Sequence, residues 1–236
     1  MKQSLIPWFL ALGAIVVLSG CATLAGYPLT YSAEAIEGRV VDADTKQPIE
    51  GVVVTANWQL SNNWGANTGQ MMAMETVTDK DGKFSFSAWG PKLRSPGSIL
   101  TFLDPQLVFF KSGYDFESLQ NEPKSYINKD SLRKSQWNGK TIPLKLFKDD
   151  RIIIEYGTKT SAYAKRLGSI ESSVSWAYAD SCDLKYIPRM IVALHLQEKK
   201  FREQGIYSSL PRFDYISDES DPDRCGVRKI LRKYLP

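Results

Sequence analysis

A single histidine, His195, stands in this chain of 236 residues, with three cysteines beside it. That scarcity removes much chemistry before any motif is sought. A Ser–His or Cys–His nucleophile would have only His195 as its base, and His195 lies between Leu194 and Leu196 in a stretch of helical periodicity. The nucleophile-elbow pattern Gly-x-Ser-x-Gly is missing, and so is any glycine-rich phosphate loop. Paired carboxylates for glycoside hydrolysis are a matter of spatial separation, which a sequence does not display. No catalytic residue, metal site or cofactor is therefore assigned. An excess of one charge is missing as well: 30 basic residues against 26 acidic ones leave +4, too little to argue for nucleic acid.

What the chain does have begins at its start, MKQSLIPWFLALGAIVVLSGC. Lys2 precedes an apolar stretch from Leu5 to Leu18, shorter than the roughly 20 residues that span a bilayer. That length suits the hydrophobic region of a signal peptide. The junction Leu18-Ser19-Gly20-Cys21 resembles the lipobox of bacterial lipoproteins, an aliphatic residue and two small ones before a cysteine. The resemblance implies cleavage before Cys21, a diacylglyceryl thioether on its sulfur and an acyl chain on its new amine. Two or more chains anchor stably where one does not. Residues 1–20 are thus expected to be a signal peptide and 21–34 a lipid-anchored tether. Ala22, in place of the aspartate that retains such proteins at the inner membrane, points to the outer membrane facing the periplasm.

With Cys21 taken by lipid, Cys182 and Cys225 remain as an even pair in an oxidising compartment. A disulfide between them is expected, closing a loop of 43 residues, which is worth ~4 kcal/mol in the chain-entropy account. A metal site would need further ligands, and Cys182 acting as a nucleophile with His195 would conflict with the bridge. Near the end, Arg228, Lys229, Arg232 and Lys233 would form a helical stripe, read as a solvated face.

Period-2 patterning runs from about residue 35 to 148. Ile36–Asp42 and Ile49–Trp58 read as strands separated by the turn formers Asp44-Thr45-Lys46-Gln47-Pro48. Glu75–Thr78, the turn Asp79-Lys80-Asp81-Gly82 and Lys83–Trp89 read as a hairpin, with Phe84, Phe86 and Ala88 on its buried face. Further strands are expected at Ile99–Phe102, Gln106–Lys111 and Thr141–Phe147. Val40, Val52, Val54, Phe84, Phe86, Val108 and Leu144 are the candidate core. Such a series argues an antiparallel β-sandwich of transthyretin or immunoglobulin type, able to fold without its neighbour. The turn at Asp79 lacks the alternating oxygens and distal glutamate of a calcium loop.

The ordered set Gly38-x-Val40-x-Asp42, Thr45-x-x-Pro48-Ile49-x-Gly51-Val52-x-Val54, Thr78-Asp79-x-Asp81-Gly82-x-Phe84-x-Phe86 and Lys111-x-Gly113-Tyr114 resembles the carboxypeptidase regulatory-like domain. That family is a transthyretin-like sandwich, an accessory module of exported proteins, and it brings no catalytic residues. This chain departs from it by extra residues between Trp58 and Glu75 and between Tyr114 and Thr141.

From about 149 to 236 the period changes, and a small, mainly α-helical C-terminal segment is expected. Tyr163, Leu167, Ile170, Val174, Ala177 and Tyr178 recur at helical steps, as do Ile187, Met190, Ile191, Leu194 and Phe201, with Gly205 as a helix end. Asp221-Pro222 would open a last helix. The expected function is that of a non-enzymatic envelope protein with a structural or interaction-mediating role. Its partners are the membrane and an envelope protein or glycan, not nucleic acid. The alternative is glycan or peptide binding through the 58–70 loop, where Trp58 and Trp64 could stack on a sugar and Asn62 and Asn63 bond its hydroxyls. A hydrolase ranks last.

Overall fold

The computed structural model describes residues 26–235, apart from 102, 123–128, 150, 180, 181 and 211–223. The expected signal peptide, Cys21, Phe102 and the Asp221–Pro222 helix start lie outside the described residues.

Eleven strands build the β region: β1 (Thr30–Ala33), β2 (Ile36–Asp42), β3 (Val53–Ser61), β4 (Asn67–Val77), β5 (Lys83–Phe86), β6 (Trp89–Leu93), β7 (Ile99–Leu100), β8 (Gln106–Phe110), β9 (Glu117–Leu119), β10 (Leu132–Arg133) and β11 (Lys140–Leu144). The largest sheet runs β4-β3-β8-β9 with β7 also on β3. Two three-stranded sheets, β10-β1-β6 and β11-β2-β5, enclose an apolar core with one face of it. The arrangement is a sandwich, but it is not purely antiparallel. β1 runs parallel to β10 and β2 parallel to β11, a correction to the expected topology.

The centre of the large sheet shows why both its faces are covered. In β3, Val54, Ala56, Trp58 and Leu60 point into the sandwich, and Val53 points to the other side. In β8, Leu107 and Phe109 face inward while Val108 and Phe110 face outward. Alternation of apolar residues on both faces means a strand buried on both. Val108, expected in the sandwich core, belongs to the outer one.

The expected hairpin at residues 75–89 is also corrected. β4 pairs with β3, whereas β5 pairs with β2, so the Asp79–Gly82 turn carries the chain from one sheet to another. Asp79 Oδ1 accepts the amides of Asp81 (2.9 Å) and Lys83 (2.8 Å), and Gly82 takes φ +72°. A Cβ at Gly82 would collide with the Val40 carbonyl, and Val40 N donates to Gly82 O at 2.7 Å. Glycine alone permits that approach. The strand expected at Lys83–Trp89 is likewise divided, since β6 joins β1.

C-terminal to the sandwich come a hairpin, β12 (Ile152–Glu155) with β13 (Thr158–Ser161), and then the helices α1 (Ala162–Gly168), α2 (Glu171–Val174), α3 (Trp176–Ala179), α4 (Pro188–Glu203) and α5 (Val227–Leu231). The continuous helix expected over 163–178 breaks into three. Ser169, Ser172 and Ser175 turn their hydroxyls back onto the carbonyls of Arg166, Ser169 and Ser172, which competes with helix propagation. Gly205, at φ +66°, follows the end of α4 as expected.

The helices cover the outward face of the large sheet. Val53, Val108, Phe110 and Phe116 form one core with Leu167, Ile170, Val174, Met190, Ile191, Leu194 and Leu231. Polar contacts fix the join. Tyr163 Oη accepts Gly113 N at 2.8 Å and donates to Tyr114 O at 3.1 Å, and burial pushes its phenol up to about 12. Glu75 of β4, its side chain 3% exposed, accepts the amides of Arg189 (2.9 Å) and Met190 (2.7 Å) in the first turn of α4. These are amides that a helix leaves without internal partners. The expected disulfide joins Cys182 and Cys225, with Cα atoms 5.3 Å apart.

Candidate functional site

The proposed tryptophan platform does not form. Extra residues after Trp58 continue β3 and β4 into a long hairpin whose tip is Asn62–Ala66. Trp58 is 1% exposed and meets Trp89 edge-on, with ring centroids 5.4 Å apart, inside the sandwich. Trp64 is 92% exposed at the tip. Asn62 Oδ1 is used within the turn, accepting the amides of Trp64 (2.9 Å) and Ala66 (3.0 Å), and Asn63 lies between Asn62 and Trp64 in the same turn. One tryptophan serves the core and the other solvent, so the two cannot hold one sugar ring.

Two other arrangements stand out instead. The first is a buried polar cluster at one end of the sandwich. Arg133 of β10 and Asp104 have side chains 2% and 1% exposed, with Nε and Oδ2 3.8 Å apart. Arg133 Nη2 donates to Leu100 O at 3.1 Å, and its guanidinium carbon lies 5.0 Å from the Tyr31 ring centroid. Thr101 Oγ1 donates to Asp104 Oδ1 at 2.6 Å. Tyr31 Oη, Asp104 Oδ2 and Arg133 Nε and Nη1 have no hydrogen-bond partner among the described residues. Burial pushes the Asp104 carboxyl up to about 7, against the pull of Arg133 and the Thr101 hydroxyl. Nearby, Arg94 donates to the carbonyls of Pro28 and Ser98, both at 2.8 Å. With its groups this deeply covered, the cluster clasps β1, β10 and the 94–105 connection.

The second arrangement is a concavity of about 480 Å³ between the β12–β13 hairpin, α1 and residues 207–209. Ile152-Ile153-Ile154 supplies β-branched side chains, and Tyr156 and Gly157 turn the hairpin at φ +49° and +78°. Ser161 ends β13 and caps α1, its Oγ accepting Ala164 N at 3.1 Å. Residues 204–207 are strapped to β13. Tyr207 N donates to Lys159 O at 2.7 Å, Thr160 Oγ1 to Tyr207 O at 2.8 Å and Lys159 Nζ to Gln204 O at 3.2 Å. Gly168 leaves room for the Ser209 side chain, which a Cβ there would meet.

Ala164, Thr160 and Ser208 are the buried part of this lining, and Tyr156 and Tyr207 are exposed aromatics within it. Lys165 and Glu155 pair across the rim at 2.5 Å. Ser208 is 9% exposed, and its Oγ is buried with no hydrogen-bond partner among the described residues. The lining therefore offers apolar surface, hydroxyls and one unused buried hydroxyl, the composition of a small-ligand pocket. A wider, more open cleft of about 650 Å³ is lined by parts of β2, β4, β5 and β11. Glu37, Arg39, Asp79, Lys83 and Lys140 give it charges of both signs. His195 is half-buried within α4.

No family model matches the chain, and no curated protein does. Solved structures do. A 3-chlorocatechol 1,2-dioxygenase from Rhodococcus opacus 1CP aligns at 13% identity and a TM-score of 0.31, over 52% of this chain and 66% of its own. The dioxygenase domain of a dioxygenase carbohydrate-binding protein fusion from Streptomyces sp. SirexAA-E aligns at 18% identity and 0.29, over 52% and 82%. The shaft pilin SpaA from Lactobacillus rhamnosus GG aligns at 14% and 0.24, over 50% and 46%. This chain thus spans under two thirds of the first dioxygenase. The expectation of a non-enzymatic structural or interaction-mediating protein is corrected to this extent: the structures that align are named as dioxygenases and a pilin, and they give that role no support. At such identities the likeness concerns the fold alone.

Proposed function

We propose that this chain is a lipoprotein whose β-sandwich, of the carboxypeptidase regulatory-like type, is held at a bacterial membrane by lipid on Cys21. The membrane is the outer one, on its periplasmic side. The observation that carries this is the junction Leu18-Ser19-Gly20-Cys21 behind a short apolar run. Two further observations support it. The Cys182–Cys225 bridge suits an oxidising compartment. The turn residues of the family pattern, Gly51 at φ +74° and Gly82 at φ +72°, adopt the backbone only glycine favours, and Phe84 and Phe86 fill the core. In cells fed labelled palmitate, the chain is expected to take up label and Cys21→Ser to lose it. Equal labelling of the two would overturn the anchor.

A second reading concerns what the anchored protein binds. The concavity under Tyr156 and Tyr207 is of ligand size, and the Ser208 hydroxyl, buried without a hydrogen-bond partner among the described residues, favours an occupant that supplies a hydrogen bond. The matching class is a small ring compound bearing hydroxyls. Phenols and cyclic polyols serve as probes in ligand-observed NMR. Their signals are expected to broaden with the wild-type chain and to broaden several-fold less with Tyr207→Ala; indifference to that change would set the pocket aside.

A further inference from the structure

The end of the sandwich from which the N-terminal segment leaves also carries its most exposed apolar residues. Leu29 is 67% exposed, Leu93 74% and Trp64 92%. Hydrogen bonds and strand register place them together. β1 pairs with β6 through Thr30↔Leu93, and Arg94 N donates to Leu29 O at 3.0 Å. Arg94 Nη1 bonds Ser98 O at 2.8 Å, and the next residue, Ile99, pairs with Ser61, which ends β3 at the hairpin tip. Trp64 stands three residues further on. Basic side chains border the same region. Lys129 Nζ lies 2.9 Å from where a Cβ would stand on Gly26, and Lys92 pairs with Tyr31 beside Leu93.

We propose that Leu29, Trp64 and Leu93 form a lipid-facing rim that dips into the membrane interface, with Lys92 and Lys129 at the headgroups. The inference rests on the lipid anchor at Cys21. From that residue to Gly26 is five residues, which reach at most about 18 Å when extended. A tether so short holds this end, and no other, against the bilayer. Exposed tryptophan and leucine beside lysine is the composition that settles at an interface: the rings and branched chains enter the acyl boundary and the ammonium groups stay with anionic headgroups. A tryptophan left almost wholly in water has no role in the sandwich core, which already holds Trp58 and Trp89.

The test uses the full, lipidated protein reconstituted into phosphatidylethanolamine–phosphatidylglycerol vesicles with and without brominated acyl chains. Trp58, Trp89 and Trp176 are buried and Trp137 is half-buried, so the part of the bromine quenching that Trp64→Phe removes is what reports on Trp64. Brominated vesicles are expected to quench the wild-type emission and to lose most of that quenching with Trp64→Phe, a change at an exposed site that leaves the fold intact. Flotation with the vesicles but equal quenching of both proteins overturns the rim and leaves the anchor standing. Failure of Cys21 to take up labelled palmitate overturns the anchor, and the rim falls with it. A Trp64 emission shift that depends on protein concentration in detergent, with no bromine quenching, means a second copy covers the rim and also overturns it.

Discussion

Phe84 is 4% exposed, edge-on to Phe109 at 5.4 Å, and rests over Gly38, where a Cβ would stand 2.6 Å from its ring. Truncation leaves a cavity that this close backbone cannot fill, so Phe84→Ala is expected to cost about 3–5 kcal/mol in urea unfolding. A loss under about 1 kcal/mol would show that the site collapses freely. Glu75 answers to pH instead. Burial pushes its carboxyl up from 4.5 to about 7, against the pull of the Met190 and Arg189 amides. The folded chain therefore keeps a proton that the unfolded chain releases near 4.5. The stability this gives, about 3 kcal/mol, is full below that pH and is lost as pH rises to about 7. Asp104 works in the same direction. Glu75→Gln is expected to fall less in melting temperature than wild type between pH 5 and pH 8; parallel profiles would count against it. The turn glycines and core phenylalanines were legible because each obeys a local rule. Asp104 and Arg133 were not, since nothing local in the sequence pairs an aspartate before a proline with a distant arginine.

At the scale of elements, β2, β3 and β8 and the start of α4 follow from alternation and period. The errors share one physical cause. A turn such as Asp79–Gly82 specifies its own backbone but not the partner of the strand that follows, and β5 was free to join β2 because Gly82 lets the Val40 carbonyl approach. The hairpin β12–β13 carried a signal that was passed over, three isoleucines before Tyr156-Gly157. It frames the 480 Å³ pocket, so the pocket was missed with it. The cysteine pair was legible once Cys21 was given to lipid, which left an even pair in an expected oxidising compartment. Mass spectrometry of unreduced protein is expected to recover a peptide joining Cys182 to Cys225, and free thiols at both positions in periplasm-derived material would refute the bridge. Reduction should lower the melting temperature, because the bridge ties the segment just after α3 to the entry of α5.

Across the whole molecule, one sheet separates two cores. Sequence periodicity located the sandwich and the helices but could not show that both bury against β3 and β8, because a doubly buried strand reads as an apolar run without naming its neighbours. A fragment of residues 33–148 would expose Val53, Val108, Phe110 and Phe116, at about 1.5–3 kcal/mol each, a sum comparable to the whole stability of an ordinary domain. It is expected to melt well below the full chain or to aggregate, and a fragment as stable as the whole would show that the outer core contributes little. Above fold and pocket stands the proposed attachment of the molecule to a membrane. Intact mass spectrometry of the protein extracted from its native membrane tests that most directly. Lipid anchoring requires a chain that begins at Cys21, 216 residues long, and carries the mass of a diacylglyceryl group with a further acyl chain. A chain of unmodified mass, or one that keeps the first twenty residues, would contradict it.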